Sequence, residues 1–206
     1  MGEAAIKTVD QLLLLNQKWA ARKAGEDSDF FTRLAVAQNP HTLWIGCSDS
    51  RVSVDTITST EPGEIFVHRN IANIVSSTDF NMLSVVEFSI EMLKINNIVI
   101  CGHENCGGVK AALDGPDHSA FRFIAGWLKN IRDLYRLHRD EIDATNDNAG
   151  RVNRLAEIST IEQVNNLSQT YTIQKAWDSG CPLRIYGLMF SLKEGRLRQV
   201  FEKSAP

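Results

Sequence analysis

The 206-residue sequence has little of what marks several large classes of protein. No apolar run approaches the roughly 18 residues that a membrane span requires. The formal net charge is only -3, so no basic surface indicates a nucleic-acid partner. Four cysteines are too few and too scattered for a disulfide framework, and the apolar segment 12–15 is too short for a signal peptide. We therefore expect a cytoplasmic protein, with a processed organellar form as the alternative, that has no membrane or nucleic-acid partner.

Helical and strand-like segments follow one another along the chain. Apolar spacing predicts helices over about 8–22, 27–35, 82–93, 107–113 and 121–135, a further helix that begins near 152, and another over 168–180. Short apolar runs predict strands at 42–47, 64–69, 98–102 and 183–191, and a tight turn leads to a strand at 197–201. The polar stretch 139–150 is expected to be a loop or a frayed helix end.

This order of elements predicts an α/β fold. We expect an open, mostly parallel sheet of about four parallel strands plus an antiparallel edge strand, flanked by helices. The length suits a single domain over 1–206, with a helical arm at 1–37 and an α/β core at 38–206. Because the two helices of the arm precede the first strand, they are free to pack on a partner subunit.

Two predicted strands end in residues that bind metals. Cys47 closes the first strand, and His103 and Cys106 follow the third in an H-x-x-C turn. Chemistry collects at the carboxyl ends of parallel strands. Two thiolates and an imidazole favour zinc, and three protein ligands leave a fourth position open, as in catalytic sites. The sequence therefore predicts a catalytic zinc site.

Other readings of these cysteines are weaker. A buried free cysteine is usually a small core residue, and Cys101 and Cys181 are assigned that role. A phosphatase-like loop at Cys47 would need an arginine six residues later, where Ser53 stands, and Arg51 falls at the wrong spacing.

Asp49 and Arg51 lie within four residues of Cys47. As a surface ion pair they would matter little. Beside a zinc ion, however, the arginine can orient the carboxylate and keep it ionised, and the carboxylate can accept a hydrogen bond from zinc-bound water. Hydroxide on zinc is a strong nucleophile near neutral pH.

Three stretches resemble the signature blocks of β-class carbonic anhydrases. They are Cys-Ser-Asp-Ser-Arg at 47–51, Phe-Val-His-Arg-Asn-Ile-Ala-Asn at 66–73 and Gly-His-Glu-Asn-Cys-Gly-Gly at 102–108. The resemblance implies one zinc ion per subunit on Cys47, His103 and Cys106, with Asp49 and Arg51 as the catalytic dyad. It implies hydration of CO2 to bicarbonate and a proton by zinc-bound hydroxide, in a homodimer or homotetramer with the active site at the dimer interface.

The same resemblance implies further site residues. Gln38 is similar to a substrate-contacting glutamine from the neighbouring subunit, Phe66 and Phe88 to the apolar wall of the CO2 pocket, and the amide of Gly107 to a donor to bound substrate. Plain core packing is the alternative for the two phenylalanines.

A regulatory bicarbonate pocket is also implied, at Trp44, Arg69 and Tyr186, residues that could instead be packing residues at a subunit contact. Bicarbonate there would favour a closed state in which Asp49 leaves Arg51 and becomes the fourth zinc ligand.

Two other functions fit the same residues. One is hydrolysis of another heterocumulene, CS2 or COS, at the same zinc. The other is a non-catalytic zinc-binding module, against which the intact pair Asp49 and Arg51 argues, because structural zinc needs neither.

Overall fold

The structure, a computed structural model, describes residues 8–115 and 122–205. The predicted helix start at Phe121 lies outside these ranges. The chain divides into two compact units between Asn39 and Pro40.

The N-terminal unit contains two helices, α1 (Val9–Glu26) and α2 (Phe30–Val36). Thr8 and Gln11 form a capping box that satisfies main-chain amides at the start of α1. Trp19 packs edge-on against the rings of Phe30 and Phe31, which joins the two helices. The apolar residues at 12–15 of α1 are nevertheless exposed.

The second unit is built on one five-stranded sheet in the order β2-β1-β3-β4-β5. Its strands are β1 (Thr42–Cys47), β2 (Ile65–Asn70), β3 (Asn97–His103), β4 (Arg184–Ser191) and β5 (Arg196–Ser204). The first four are parallel, and β5 is antiparallel to β4 at the edge. The predicted fold class is confirmed.

Helices cover the sheet. They are α3 (Val54–Thr58), α4 (Phe80–Glu91), α5 (Gly107–Asp114), α6 (Ile124–Trp127), α7 (Lys129–Leu137), α8 (Arg139–Asp143), α9 (Asn148–Ser168) and α10 (Tyr171–Asp178), with a 3-10 turn at Ile71–Asn73. No periodic pattern predicted α3, which is only five residues long. The predicted single helix ending near 135 is divided into α6 and α7 at Leu128.

The segment predicted as a loop or frayed end after residue 139 contains α8. Its one large apolar residue, Ile142, is fully buried and fixes the turn against the core. Asp143 also accepts hydrogen bonds from Arg151 on α9. Tertiary contacts therefore hold a helix that the local sequence alone does not favour.

Apolar side chains fill both faces of the sheet. One cluster lies between the strands and α4, α9 and α10, with Ile45 and Ile98 at its centre. A second includes Cys47 and Cys106 and is closed by α5, α7 and α9. A third contains Trp44, Val99 and Cys101. The carboxyl end of β1 is thus surrounded by packed side chains.

Candidate metal centre

Two neighbouring strands bring the three predicted ligands together. Cys47 is the last residue of β1 and His103 the last of β3, and the two strands are paired in parallel. Cys106 precedes the first residue of α5. The ligand atoms of these buried residues, which we call the ligand cluster, all lie within 4.8 Å of one another. Residues 8–115 and 122–205 contain no other such group of His, Cys, Asp and Glu.

The His103 ring is oriented for metal binding. Its Nδ1 lies 2.9 Å from the carbonyl oxygen of Glu104, which can only accept, so Nδ1 carries the hydrogen. Nε2 is therefore left with a lone pair. Within the described residues this buried atom has no hydrogen-bond partner. Burying an unsatisfied polar atom is costly, and a metal ion would satisfy it.

The two thiols of the ligand cluster are in contact with each other. The Sγ atoms of Cys47 and Cys106 are 3.9 Å apart. The hydrogen bond from Cys106 lowers the pKa of Cys47 to about 4, and the same bond, with burial, raises the pKa of Cys106. A divalent cation would replace the proton of this hydrogen bond and offset both thiolate charges. The residues present therefore fit zinc.

Cys101 has a different environment from the ligand cluster. It packs with Trp44, Val52 and Phe190. Burial raises its pKa to about 12, so the side chain stays a neutral thiol. This agrees with its assignment to the core.

Asp49 and Arg51 form a bidentate ion pair beside the ligand cluster. Nε of Arg51 donates to Oδ1 of Asp49 at 2.9 Å and Nη2 donates to Oδ2 at 2.6 Å. These bonds hold the pKa of the Asp49 carboxyl well below its usual range. Oδ2 lies 3.8 Å from Nε2 of His103, so the carboxylate faces the ligand atoms. Nη2 of Arg51 also donates to the carbonyl oxygen of Asn105 at 3.2 Å.

The three residues of the predicted regulatory pocket lie on β1, β2 and β4. Trp44 and Tyr186 are both paired with Val99 of β3, so they flank it in one row. Nε1 of Trp44 is buried and has no hydrogen-bond partner within the described residues. Arg69 holds the loop after β1: its Nε donates to the carbonyl oxygen of Cys47, and its Nη2 to those of Asp49 and Val52.

The predicted wall of the CO2 pocket lies away from the ligand cluster of its own chain. The rings of Phe66 and Phe88 stack with centroids 5.9 Å apart. Phe66 is paired with Leu43, four residues before Cys47. At about 3.3 Å per residue, it lies about 13 Å from Cys47 along the strand direction. Gly107 begins α5, and a side chain there would meet nothing within 4 Å. Gln38 belongs to the N-terminal unit.

Sequence reasoning assigned no role to three residues that contact the site. Asn153 of α9 accepts a hydrogen bond from the main-chain amide of Asn105, at 2.8 Å. Asn105 has a positive φ of 50°, and its carbonyl oxygen meets Arg51. The amide of Ala72 donates to Sγ of Cys47 at 3.3 Å. The contact with Asn153 depends on how α9 packs, and no local pattern signals it.

Comparisons with known proteins agree with this geometry. Residues 42–197 match the family model described as carbonic anhydrase. The chain is 44% identical to a carbonic anhydrase of Emericella nidulans over 94% of this chain and 84% of the relative. It is 31% identical to a carbonic anhydrase of Saccharomyces cerevisiae over 93% of this chain and 88% of the relative.

Solved structures show the same fold. A β-carbonic anhydrase of Sordaria macrospora, one of two described as tetrameric, superposes with a TM-score of 0.88 at 38% identity, over 93% of this chain and 96% of the other. A Coccomyxa β-carbonic anhydrase in complex with acetazolamide gives a TM-score of 0.87 at 32% identity, over 96% and 89%.

The chain therefore belongs to the carbonic anhydrase family, in its β class. It is an enzyme of zinc-dependent, reversible CO2 hydration, which yields bicarbonate and a proton.

Proposed function

We propose that Cys47, His103 and Cys106 hold the zinc ion of this carbonic anhydrase. The observation that carries the proposal is the orphaned, buried Nε2 of His103 beside two thiols whose Sγ atoms lie 3.9 Å apart. Zinc bound there supplies a Lewis acid that lets water lose a proton near neutral pH. The cluster has one imidazole and two thiolates, so these ligands offset the full charge of the cation.

Asp49 and Arg51 act as a pair next to this ion. Arg51 fixes the carboxylate and keeps it ionised, so Oδ2 is an acceptor that faces the ligand cluster. Because the ionised carboxylate can only accept a hydrogen bond, it orients the attacking water so that a lone pair of the water oxygen is free to face CO2. The short distance between Oδ2 and Nε2 of His103 also supports the second role proposed for Asp49, that of fourth ligand in a closed state.

One purified sample tests this function. We expect about one zinc ion per chain and rapid CO2 hydration in stopped-flow assays, both lost on chelation and both restored by zinc. Turnover of COS or CS2 without CO2 hydration would favour the heterocumulene hydrolase. Zinc without any turnover would leave a non-catalytic module.

We further propose that the pocket for CO2 is completed by a second copy of the chain. Phe66 lies too far along β2 to wall the cluster of its own chain, and Phe88 of α4 stacks on it, so both are assigned to the partner's site, together with Gln38. The amide of Gly107 is assigned as a donor to the substrate. An exposed apolar stretch on α1 and the tetrameric relatives support assembly into a homodimer or homotetramer.

We also propose a regulatory anion site at Trp44, Arg69 and Tyr186. The orphaned Nε1 of Trp44 favours a ligand with an acceptor oxygen, such as bicarbonate. Because Nε and Nη2 of Arg69 already donate to carbonyl groups, Nη1 is the nitrogen assigned to the anion. A ligand there shifts the balance between states only through its different affinity for each.

The cell compartment is inferred from the cysteines. All four are free, and the ligand cluster needs both of its thiols reduced. A reducing compartment, the cytoplasm, is therefore proposed. No helix in residues 8–115 or 122–205 has the length and apolarity to cross a membrane.

A further inference from the structure

The turn that follows β2 has an unusual backbone. Ala72 has φ 63° and ψ 29°, and Asn73 has φ 46°, so two consecutive residues with side chains are left-handed. Residues other than glycine rarely adopt this conformation because Cβ crowds the main chain. Such a turn persists only where its surroundings hold it.

The side chain of Asn70 holds this turn closed. Its Oδ1 accepts from the amide of Ile74 at 2.8 Å, and its Nδ2 donates to the carbonyl oxygen of the same residue at 2.8 Å. Both main-chain groups of Ile74 are thus tied to the residue four positions earlier. The second hydrogen of Nδ2 points to Nε2 of His68, at 3.3 Å.

Two neighbouring helices confine the same turn. Nε1 of Trp127 on α6 donates to the carbonyl oxygen of Ile71 at 2.8 Å. On α5, a Cβ added to Gly108 would lie 2.8 Å from Cγ2 of Ile71 and 3.1 Å from Cβ of Ala72. The turn therefore approaches α5 as closely as a glycine permits.

The left-handed turn directs one amide at the ligand cluster. The N–H of Ala72 donates to Sγ of Cys47 at 3.3 Å, and both residues are buried. A donor beside a thiolate draws charge away from sulfur, and it does so more strongly where water is excluded. Two thiolates would offset the whole charge of a zinc ion held by the ligand cluster. A hydrogen bond that reduces the charge donated by one sulfur would leave the cation a stronger Lewis acid.

We propose that Asn70 is a positioning residue for the metal centre: by tying both main-chain groups of Ile74, it aims the Ala72 amide at Sγ of Cys47 and reduces the charge that this sulfur donates. The inference rests on the proposed function, because it takes Cys47 as a metal ligand.

The cobalt-substituted protein tests this directly, because the sulfur-to-cobalt charge-transfer band reports the electron density on sulfur. Asn70→Ala should move the band to lower energy, because a sulfur that loses its hydrogen-bond donor gives up an electron to cobalt more easily. Adding Ala72→Gly to Asn70→Ala should move the band back toward the wild-type position, because glycine adopts the left-handed conformation without Asn70. Should Asn70→Ala not fold, Asn70→Asp, which keeps the acceptor for the Ile74 amide, should still shift the band in the same direction.

Gln163→Ala is the matched control. Gln163 accepts from the amide of Val75 at 2.8 Å, one residue beyond the tied Ile74, and is buried. Its loss should lower stability and leave the band in place. A wild-type band in folded Asn70→Ala or Asn70→Asp, or an equal shift in Gln163→Ala, overturns the inference. A wild-type protein that shows no sulfur-to-cobalt band would instead sink the proposed ligand set itself.

Discussion

At the scale of single residues, two buried cysteines five positions apart have different neighbours. Cys106 lies against the thiol of Cys47, whereas Cys101 is enclosed by apolar side chains. A serine hydroxyl is a poor zinc ligand at neutral pH. Cys106→Ser should therefore lose or loosen zinc and lose activity. Cys101→Ser, the same change in an equally buried residue, should keep its zinc, and stoichiometric zinc in Cys106→Ser would remove that residue from the ligand set.

Asp49 carries the second prediction at this scale. Asp49→Asn keeps the shape but replaces one acceptor oxygen by a donor, so the attacking water is less well oriented. We expect zinc to be retained and kcat to fall about 10²-fold or more. Asp55→Asn, an equal change of charge on α3, should have little effect. Turnover near the wild-type rate in Asp49→Asn would reduce Asp49 to a structural role.

The pKa of Asp49 also limits the interpretation of pH profiles. The hydrogen bonds from Arg51 lower this pKa, so the Asp49 carboxyl of the folded protein stays ionised until the pH falls well below the usual range for an aspartate. Asp49 should therefore not titrate near neutral pH, and any change of activity there belongs to other groups.

At the scale of elements, the strands were the most predictable part of the molecule. Residues 42–47 and 98–102 are nearly continuous apolar runs, and both proved to be central strands covered on two faces. Cys47, His103 and Cys106 could be predicted together because each ends or follows such a strand. By contrast, α3 is too short for a periodic pattern, and α8 depends on the burial of Ile142.

Contacts between elements that are distant along the chain could not be predicted from the sequence. Asn153 meets Asn105 across 48 positions because α9 packs beside the turn after β3. Asn70 was within a recognised block, yet its hydrogen bonds to Ile74 depend on a left-handed turn that alanine rarely adopts. Local propensity favours the right-handed helical conformation for an alanine such as Ala72.

The proposed anion site has residues on β1, β2 and β4 and gives the prediction for this scale. If bicarbonate binds beside Trp44, Tyr186→Phe should weaken inhibition by added bicarbonate. The substitution removes a hydroxyl donor from the row that Trp44 and Tyr186 form on either side of β3. Activity of the wild type should fall cooperatively as the pH falls, faster than one ionisation allows. Tyr171→Phe removes the hydroxyl of an exposed residue on α10 and should leave inhibition unchanged. A single-proton profile that bicarbonate does not alter would leave the trio as packing residues.

At the scale of the whole molecule, α1 presents apolar side chains that a lone chain leaves in water. Leu12 and Leu13 are 53% and 58% exposed. If a second copy covers them, Leu12→Glu with Leu13→Glu should reduce the mass measured by light scattering and lower CO2 hydration with it, because each pocket needs its partner. Asn16→Glu with Gln17→Glu adds the same charge to exposed positions of the same helix and should leave the assembly intact. An active monomer would contradict a shared site.

X-ray absorption at the zinc edge tests the central claim most directly, since it counts the atoms bound to the ion in the whole protein. We predict two sulfur neighbours at about 2.3 Å and one histidine nitrogen at about 2.0 Å, with a light atom in the fourth position. Cys101→Ser should give the same spectrum. A shell with no sulfur or with three sulfurs, or one that changes in Cys101→Ser, would contradict a site built from Cys47, His103 and Cys106.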